Sequence, residues 1–99
     1  MEKFGFLKWS VYTDAHQLFS RILEIVKRLA QVYRFDLGNQ IIRSSFSILL
    51  NIAEGHGRSS RREFARFIDI ALGSLHETLA GVDVLRYNNL VDEREFRTV

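Results

Sequence analysis

The chain has 99 residues, of which 46% are hydrophobic and 26% charged, a balance typical of one folded domain and not of a disordered chain. It contains no cysteine, which excludes disulfides and thiolate metal sites, and no proline, which favours long helices over a fold with many turns. The formal net charge of +2 permits nucleic-acid binding without establishing it, although eleven of the fourteen basic residues are arginine.

The sequence gives no indication of a signal peptide or of a membrane span. The chain begins Met1-Glu2-Lys3-Phe4, with no apolar stretch ahead of a small-residue cleavage site. No window approaches the roughly 18 uncharged apolar residues of a membrane span. We therefore expect a cytoplasmic protein without membrane contact.

The first predicted helix runs from about residue 10 to residue 33. Its apolar residues recur at intervals of three and four, as on one helical face: Ala15, Leu18, Phe19, Ile22, Val26, Leu29 and Tyr33. Further apolar residues widen this face: Leu23, Ile25, Ala30 and Val32. So broad a face predicts contact with more than one neighbouring helix.

The second predicted helix covers residues 37–54. Asp36 is placed to cap its start, and an apolar face follows: Leu37, Ile41, Ile42, Phe46, Ile48, Leu49, Ile52 and Ala53. Gly55 is predicted to end the helix, because glycine adopts positive φ at little cost.

The third predicted helix covers residues 61–88 and begins with a capping box formed by Ser60 and Glu63. Asp92 and Glu95 repeat that start signal for a fourth helix at 93–99, which has barely two turns. We predict one all-α domain over residues 1–99, an antiparallel up-and-down four-helix bundle with a shortened fourth helix. Either partner chains cover the groove left beside so short a helix, or the chain is a shortened version of a longer protein. An uncovered apolar stripe of this length would be an association surface.

Residues 40–55, ending in Asn51-Ile52-Ala53-Glu54-Gly55, carry a family resemblance. Residues 9–18 match the opening segment of the same family, and Gly73-Ser74-Leu75 with Glu77 match its third helix. Over roughly residues 7–96 the chain resembles a bacterial family of four-helix bundle proteins encoded in intervening sequences of large-subunit ribosomal RNA genes. Accessory proteins of diversity-generating retroelements resemble this family too.

The resemblance implies a bundle that associates with itself, with a ring of five subunits known among relatives. It also implies a basic surface for RNA or DNA and, in the retroelement case, contact with a reverse transcriptase. It implies no catalysis, so we expect no enzyme activity and no cofactor. The short fourth helix is the largest departure from the family pattern.

Four polar residues, Asn51, Glu54, Ser74 and Glu77, fall on facing segments of the second and third helices. One interpretation is a partly buried cluster that fixes the register of the two helices. The other is a carboxylate pair for metal binding or acid–base chemistry. A bundle di-metal site needs Glu-x-x-His motifs, whereas His76 and Glu77 are adjacent. We therefore predict a structural cluster, no metal site and no catalytic residues.

Arginines around the start of the third helix are the candidate binding surface: Arg58, Arg61, Arg62 and Arg66. They lie beside the free amides of a helix N-terminus, which suits a phosphate. Arg43 adds to this surface if its helix turns that way. The alternative is a solvated face in which Arg62 and Arg66 pair with Asp69 or Glu63. Two functional hypotheses follow, a nucleic-acid-binding protein and a protein–protein interaction scaffold.

The three histidines, His16, His56 and His76, fall on separate elements and do not form a set. A lone histidine is more often a surface or capping residue than a ligand. Trp9 and Tyr12 are predicted to pack at the end of the bundle. Stacking on a base is open to them, but nothing in the sequence singles it out.

Overall fold

A computed structural model describes residues 3–99, and all its regular elements are helical. A 3-10 turn, Gly5–Lys8, precedes α1 (Ser10–Lys27). A single turn, α2 (Gln31–Tyr33), continues through the π-helical segment Arg34–Gly38 into α3 (Asn39–His56), and α4 (Arg61–Tyr87) and α5 (Glu93–Arg97) follow. The all-α prediction is confirmed, since residues 3–99 contain no strand. No helix in this range is long and apolar enough to cross a membrane.

The prediction that the first helix reaches residue 33 is wrong. Helix α1 ends at Lys27, and its last turn closes with Leu29 N–H donating to the Val26 carbonyl at 3.0 Å. Ala30 is extended, with ψ of 148°. Leu29 nevertheless lies in the core at 4% exposure. Leu29 therefore keeps the apolar spacing of the helix although it lies beyond the helix end, and this spacing made the predicted helix too long.

Both predicted ends of the second helix also differ from the structure. Asp36 lies inside the π-helical segment and caps nothing. At the other end α3 continues through Gly55 to His56, and Gly57 follows with a negative φ of −78°. Gly55 instead allows close packing, because a Cβ there would lie 3.1 Å from Phe67 Cβ and 3.3 Å from Phe64 Cδ1.

Side-chain caps begin the last two helices, as the sequence predicts, although among residues 3–99 neither glutamate completes a capping box by accepting from the cap N–H. Glu63 N–H donates to Ser60 Oγ at 3.1 Å, and Glu95 N–H donates to Asp92 Oδ1 at 2.7 Å. Helix α4 ends at Tyr87, one residue before the predicted end, and α5 ends at Arg97 instead of residue 99. Asn89 adopts φ of 63° in the turn between them, a conformation that asparagine tolerates better than most residues.

Contacts between α3 and α4 run in opposite order along the two helices. A Cβ on Gly81 would meet Ile41, the Ser44 hydroxyl meets Thr78, and Gly55 lies against Phe67. Helix α1 also packs on α3. The resulting shape is elongated, with extents of 45 × 20 × 20 Å.

The apolar core has two parts, one toward each end of the molecule. The part nearer α5 joins α1, α3 and α4 through Ile22, Ile25, Val26, Leu29, Ile41, Val82, Leu85 and Val91. The part nearer the joint between α3 and α4 contains Ala15, Ile48, Leu49, Ile52 and Ala71. Leu18 packs against both parts, so the core is continuous along α1.

Arg86 holds the short helix α5 against α4. Its guanidinium donates to Asp83 and, at 3.2 Å, to Glu93, and it lies 4.5 Å from the ring centroid of Phe96. The hydrogen bond to Asp83, with that to Glu93, raises the pKa of Arg86 above its ordinary value. A second link to α5 is the ion pair between Arg28 and Glu95.

Candidate nucleic-acid interface

The first turns of α4 present a group of arginines to solvent. Arg61, Arg62 and Arg66 are exposed. Within residues 3–99 none of them takes part in an ion pair, so the predicted alternative of pairs with Glu63 or Asp69 is not formed. Their charges are therefore available to an external anion.

Arg58 joins this group across the ring of Phe67. Its guanidinium lies 4.8 Å from the Phe67 ring centroid, and that of Arg66 lies 5.3 Å from the same centroid. Arg58 also donates to Glu54 Oε1 at 2.6 Å, which offsets part of its charge. Phe67, which links these two arginines, was not predicted to be part of this surface. We call Arg58, Arg61, Arg62 and Arg66 the arginine patch.

Backbone groups of α4 add to the patch. Glu63 and Phe64 N–H donate to the side-chain and backbone oxygens of Ser60, whereas Arg61 and Arg62 N–H have no acceptor in the described part of the chain. Free amides at a helix N-terminus attract anions. The patch thus offers cationic side chains and unbonded N–H groups on one surface.

Nearby carboxylates offset most of the positive charge of this surface. Residues 54–69 contain four arginines and three acidic residues, an excess of one positive charge. Glu63 and Asp69 line the same open cleft as Arg62 and Arg66. Any attraction for phosphates therefore depends on where the arginines lie and not on a large net charge.

Arg43 does not belong to the arginine patch. It is exposed on α3, and the register of α3 against α4 places it level with Leu79. Twelve residues of α3 separate it from Gly55, which at the helical rise is roughly 18 Å. The structure therefore does not bring Arg43 together with the arginine patch, because α3 carries it away from the α4 N-terminus.

The predicted polar cluster forms only in part. Asn51 Nδ2 donates to the Ser47 carbonyl at 2.8 Å and to Ser47 Oγ at 3.0 Å, and Ser47 Oγ lies 2.9 Å from Ser74 Oγ. Ser47 thus joins Asn51 to Ser74.

The two carboxylates of the predicted cluster lie apart from it and from each other. Glu54 pairs with Arg58, whereas Glu77 accepts from Gln40 Nε2 at 2.8 Å near the opposite end of α3. They therefore form no carboxylate pair. Among residues 3–99, no three His, Asp or Glu side chains gather as a potential metal-ligand set.

A buried polar pair that the sequence analysis missed lies deeper between α3 and α4. The hydroxyls of Ser44 and Thr78 are 2.8 Å apart, and Thr78 Oγ1 also lies 2.8 Å from the Ser74 carbonyl. Thr78 is fully buried. Its position four residues before the buried Val82 was the available signal, since that spacing puts both on one helical face.

The expectation of a surface or capping role is wrong for His56. Its side chain is buried at 8% exposure, with ring centroids 5.1 Å from Phe6 and 5.4 Å from Trp9. Trp9 also meets Phe64 edge-on at 5.8 Å. An aromatic cluster therefore closes the end of the molecule next to the arginine patch, which agrees with the packing role predicted for Trp9.

Comparison with known families gives one match that covers most of the chain. The family model described as 23S rRNA-intervening sequence protein matches residues 8–99, all but the first seven residues. This is the family that the motif in residues 40–55 resembles. A comparison with curated proteins finds no match.

Proposed function

The chain belongs to the 23S rRNA-intervening sequence protein family, and from that premise we propose that it is a non-enzymatic, self-associating protein that binds structured RNA or DNA in the cytoplasm. The binding surface is the arginine patch. The architecture we propose is an antiparallel up-and-down four-helix bundle whose fourth helix is the short α5.

The observation that carries this proposal is that arginines of the patch are exposed and form no ion pairs among the described residues. Arg61, Arg62 and Arg66 are exposed without ion pairs among residues 3–99, next to two N–H groups without acceptors. Arginines packed for stability alone would be expected to pair with the neighbouring carboxylates of Glu63 and Asp69. Guanidinium and backbone N–H groups together are the donors that bind phosphate oxygens.

Self-association is supported by an apolar patch on α1 and α3, which we define as Phe19, Leu23, Phe46 and Leu50. The rings of Phe19 and Phe46 lie 5.6 Å apart, so the patch is continuous across the two helices. Phe46 is 47% exposed and Leu50 52%. Contiguous exposed apolar surface of this kind is typical of a protein interface. In an oligomer the arginine patches of several subunits would act together.

The groove beside α5 is less suited to that interface. It is lined mainly by polar side chains of α1 and α5, among them Gln17, Arg21, Glu24 and Arg94. We therefore assign self-association to the apolar patch and not to this groove. The assembly we propose is a closed homo-oligomer, with the five-subunit ring of relatives as the leading arrangement.

The same apolar patch favours the second candidate, a protein–protein interaction scaffold without nucleic-acid binding. In that case the arginine patch would contact acidic residues of a partner. A reverse transcriptase is the partner that the retroelement resemblance implies. Failure to bind any nucleic acid at low salt would favour this candidate.

The proposed function is tested by titrating the protein into a labelled RNA hairpin and a labelled DNA duplex and following fluorescence anisotropy. The test variant is Arg62→Ala/Arg66→Ala. The matched control is Arg21→Ala/Arg94→Ala, which removes two exposed arginines near the opposite end of the molecule. We expect weaker binding by the test variant only. Near-equal affinity of the wild type and the test variant would rule out the arginine patch as the binding surface.

A further inference from the structure

A second cleft lies beside the arginine patch, between α4 and the aromatic cluster at the end of the molecule. It encloses about 300 Å³, near the lower limit for small-molecule sites. Trp9, His56 and Phe64 contribute to its aromatic wall, and Arg58, Ser60 and Arg61 supply polar groups. This cleft is distinct from the open surface between Arg62 and Arg66.

His56 is the observation that points to a ligand in this cleft. It is more than nine-tenths buried, it lines the cleft, and its side chain makes no hydrogen bond within residues 3–99. No side-chain nitrogen in this range is both sealed from solvent and without a partner, so the ring nitrogens of His56 keep some contact with solvent, and the residue lines the cleft. The imidazole therefore holds unused hydrogen-bonding capacity in the cleft wall.

The remaining walls define the chemistry of the ligand. The rings of Trp9 and Phe64 provide aromatic surface for a planar group. Arg61 forms no ion pair among the described residues, and its backbone N–H has no acceptor there, so it offers charge and a donor to an anion. Arg58 contributes less, because Glu54 already occupies its guanidinium. A nucleotide combines these two features, since its planar aromatic base is joined through the sugar to an anionic phosphate.

We propose that this cleft receives one unpaired nucleotide of the bound RNA or DNA. The base packs against Trp9 and Phe64 and hydrogen-bonds through its edge to His56, while the phosphate lies at Arg61 and the N-terminus of α4. The inference rests on the proposed function and deepens it, since it makes an unpaired base, and not only the backbone, part of what the protein recognises.

Trp9 is the only tryptophan, so its emission reports on the cleft directly. The probes are AMP, inorganic phosphate, a fully paired RNA hairpin, and the same hairpin with one unpaired nucleotide. We expect AMP and the bulged hairpin to change the Trp9 emission saturably, and phosphate alone to leave it unchanged. The bulged hairpin should bind about tenfold more tightly than the paired one, as one stacked base allows.

His56→Phe is the informative variant, because it keeps an aromatic ring in the cluster and removes both nitrogens. We expect it to weaken the preference for the bulged hairpin, because the hydrogen bonds to the base edge are lost while the rings of Trp9 and Phe64 remain, and to retain the circular dichroism spectrum of the wild type. His16→Phe is the control, since His16 is exposed on α1 and does not line the cleft.

The outcomes separate this inference from the proposed function. Equal binding of both hairpins without a change in Trp9 emission would overturn the cleft assignment and leave the arginine patch intact. A response to AMP without hairpin binding would contradict the proposed function and support the cleft as a nucleotide site. Absence of both responses would overturn the two together.

Discussion

The hydroxyl oxygens of Ser44 and Thr78 lie 2.8 Å apart in the buried interface between α3 and α4. Ser44 Oγ is also 3.1 Å from the Ile41 carbonyl, and Thr78 Oγ1 is 2.8 Å from the Ser74 carbonyl. Each hydroxyl carries a single proton, so one of them donates across the interface and the other donates to its own helix. This pair ties the register of α3 to that of α4 in the middle of the molecule.

Thr78→Val should destabilise the protein by about 1–2 kcal/mol. The substitution keeps the shape of the side chain and removes one of the two hydrogen-bond partners of the buried Ser44 hydroxyl. Urea unfolding followed by circular dichroism measures the change. Thr13→Val is the control, because Thr13 is exposed and bonds only to the Ser10 carbonyl. Equal unfolding free energies for the two variants would contradict a role for the pair.

Two glycines of α4 should respond in opposite directions to alanine. A Cβ on Gly81 would lie 2.8 Å from Cγ1 of the buried Ile41, whereas a Cβ on Gly73 would meet nothing within 4 Å. Gly73→Ala should stabilise the protein by up to about 1 kcal/mol through helix propensity. Gly81→Ala should instead destabilise it by about 1–2 kcal/mol, since overpacking outweighs that gain. Thermal unfolding of both variants tests this, and stabilisation by Gly81→Ala would show that α3 and α4 do not approach closely there.

The cap of α4 gives a further stability prediction. Ser60→Ala should cost about 1 kcal/mol, because Glu63 N–H loses its acceptor. Ser59→Ala, at the neighbouring exposed position, should change the unfolding free energy by less than about 0.5 kcal/mol. The difference between the two variants, measured by urea unfolding, isolates the cap from the general effect of losing a hydroxyl. Equal effects would argue against the cap.

Helix ends marked by a capping residue were predicted from the sequence better than helix ends inferred from apolar spacing. The start of α4 was predictable because a cap hydroxyl at Ser60 precedes a long periodic segment. The end of α1 was not, because Leu29 keeps the apolar spacing while the backbone has already left the helix. The end of α3 was also mispredicted, because Gly55 was interpreted as the residue that ends the helix. A glycine at a helix end and a glycine at a close helix contact are identical in sequence, and only the neighbouring Phe67 distinguishes them.

For the candidate site, the sequence predicted local features better than distant ones. Arg62 and Arg66 share one helix, so their spacing alone placed them together. The position of Arg43 depends on how α3 pairs with α4, which residue spacing within one helix does not define. The cleft at His56 depends on the return of Trp9 to the α3–α4 joint, a contact between residues far apart in the chain.

Self-association should depend on the apolar patch of α1 and α3. We expect the wild type to run as a discrete multiple of 11.6 kDa in size exclusion with light scattering. Phe46→Glu/Leu50→Glu should shift it to the monomer mass, because charges replace buried apolar contacts. Val84→Glu/Tyr87→Glu is the control, since it charges two exposed apolar residues outside the patch. A wild-type monomer, or an unchanged mass for the test variant, would contradict the proposed interface.

The salt dependence of RNA binding is the most direct test of the arginine patch. Affinity for a labelled hairpin is measured from about 50 to 200 mM salt for the wild type, Arg62→Ala/Arg66→Ala and Arg21→Ala/Arg94→Ala. If Arg62 and Arg66 each contact a phosphate, the log–log slope of the first variant should be shallower by about two, and that of the second should match the wild type. Equal log–log slopes for the wild type and both variants would show that the arginine patch does not bind the nucleic acid.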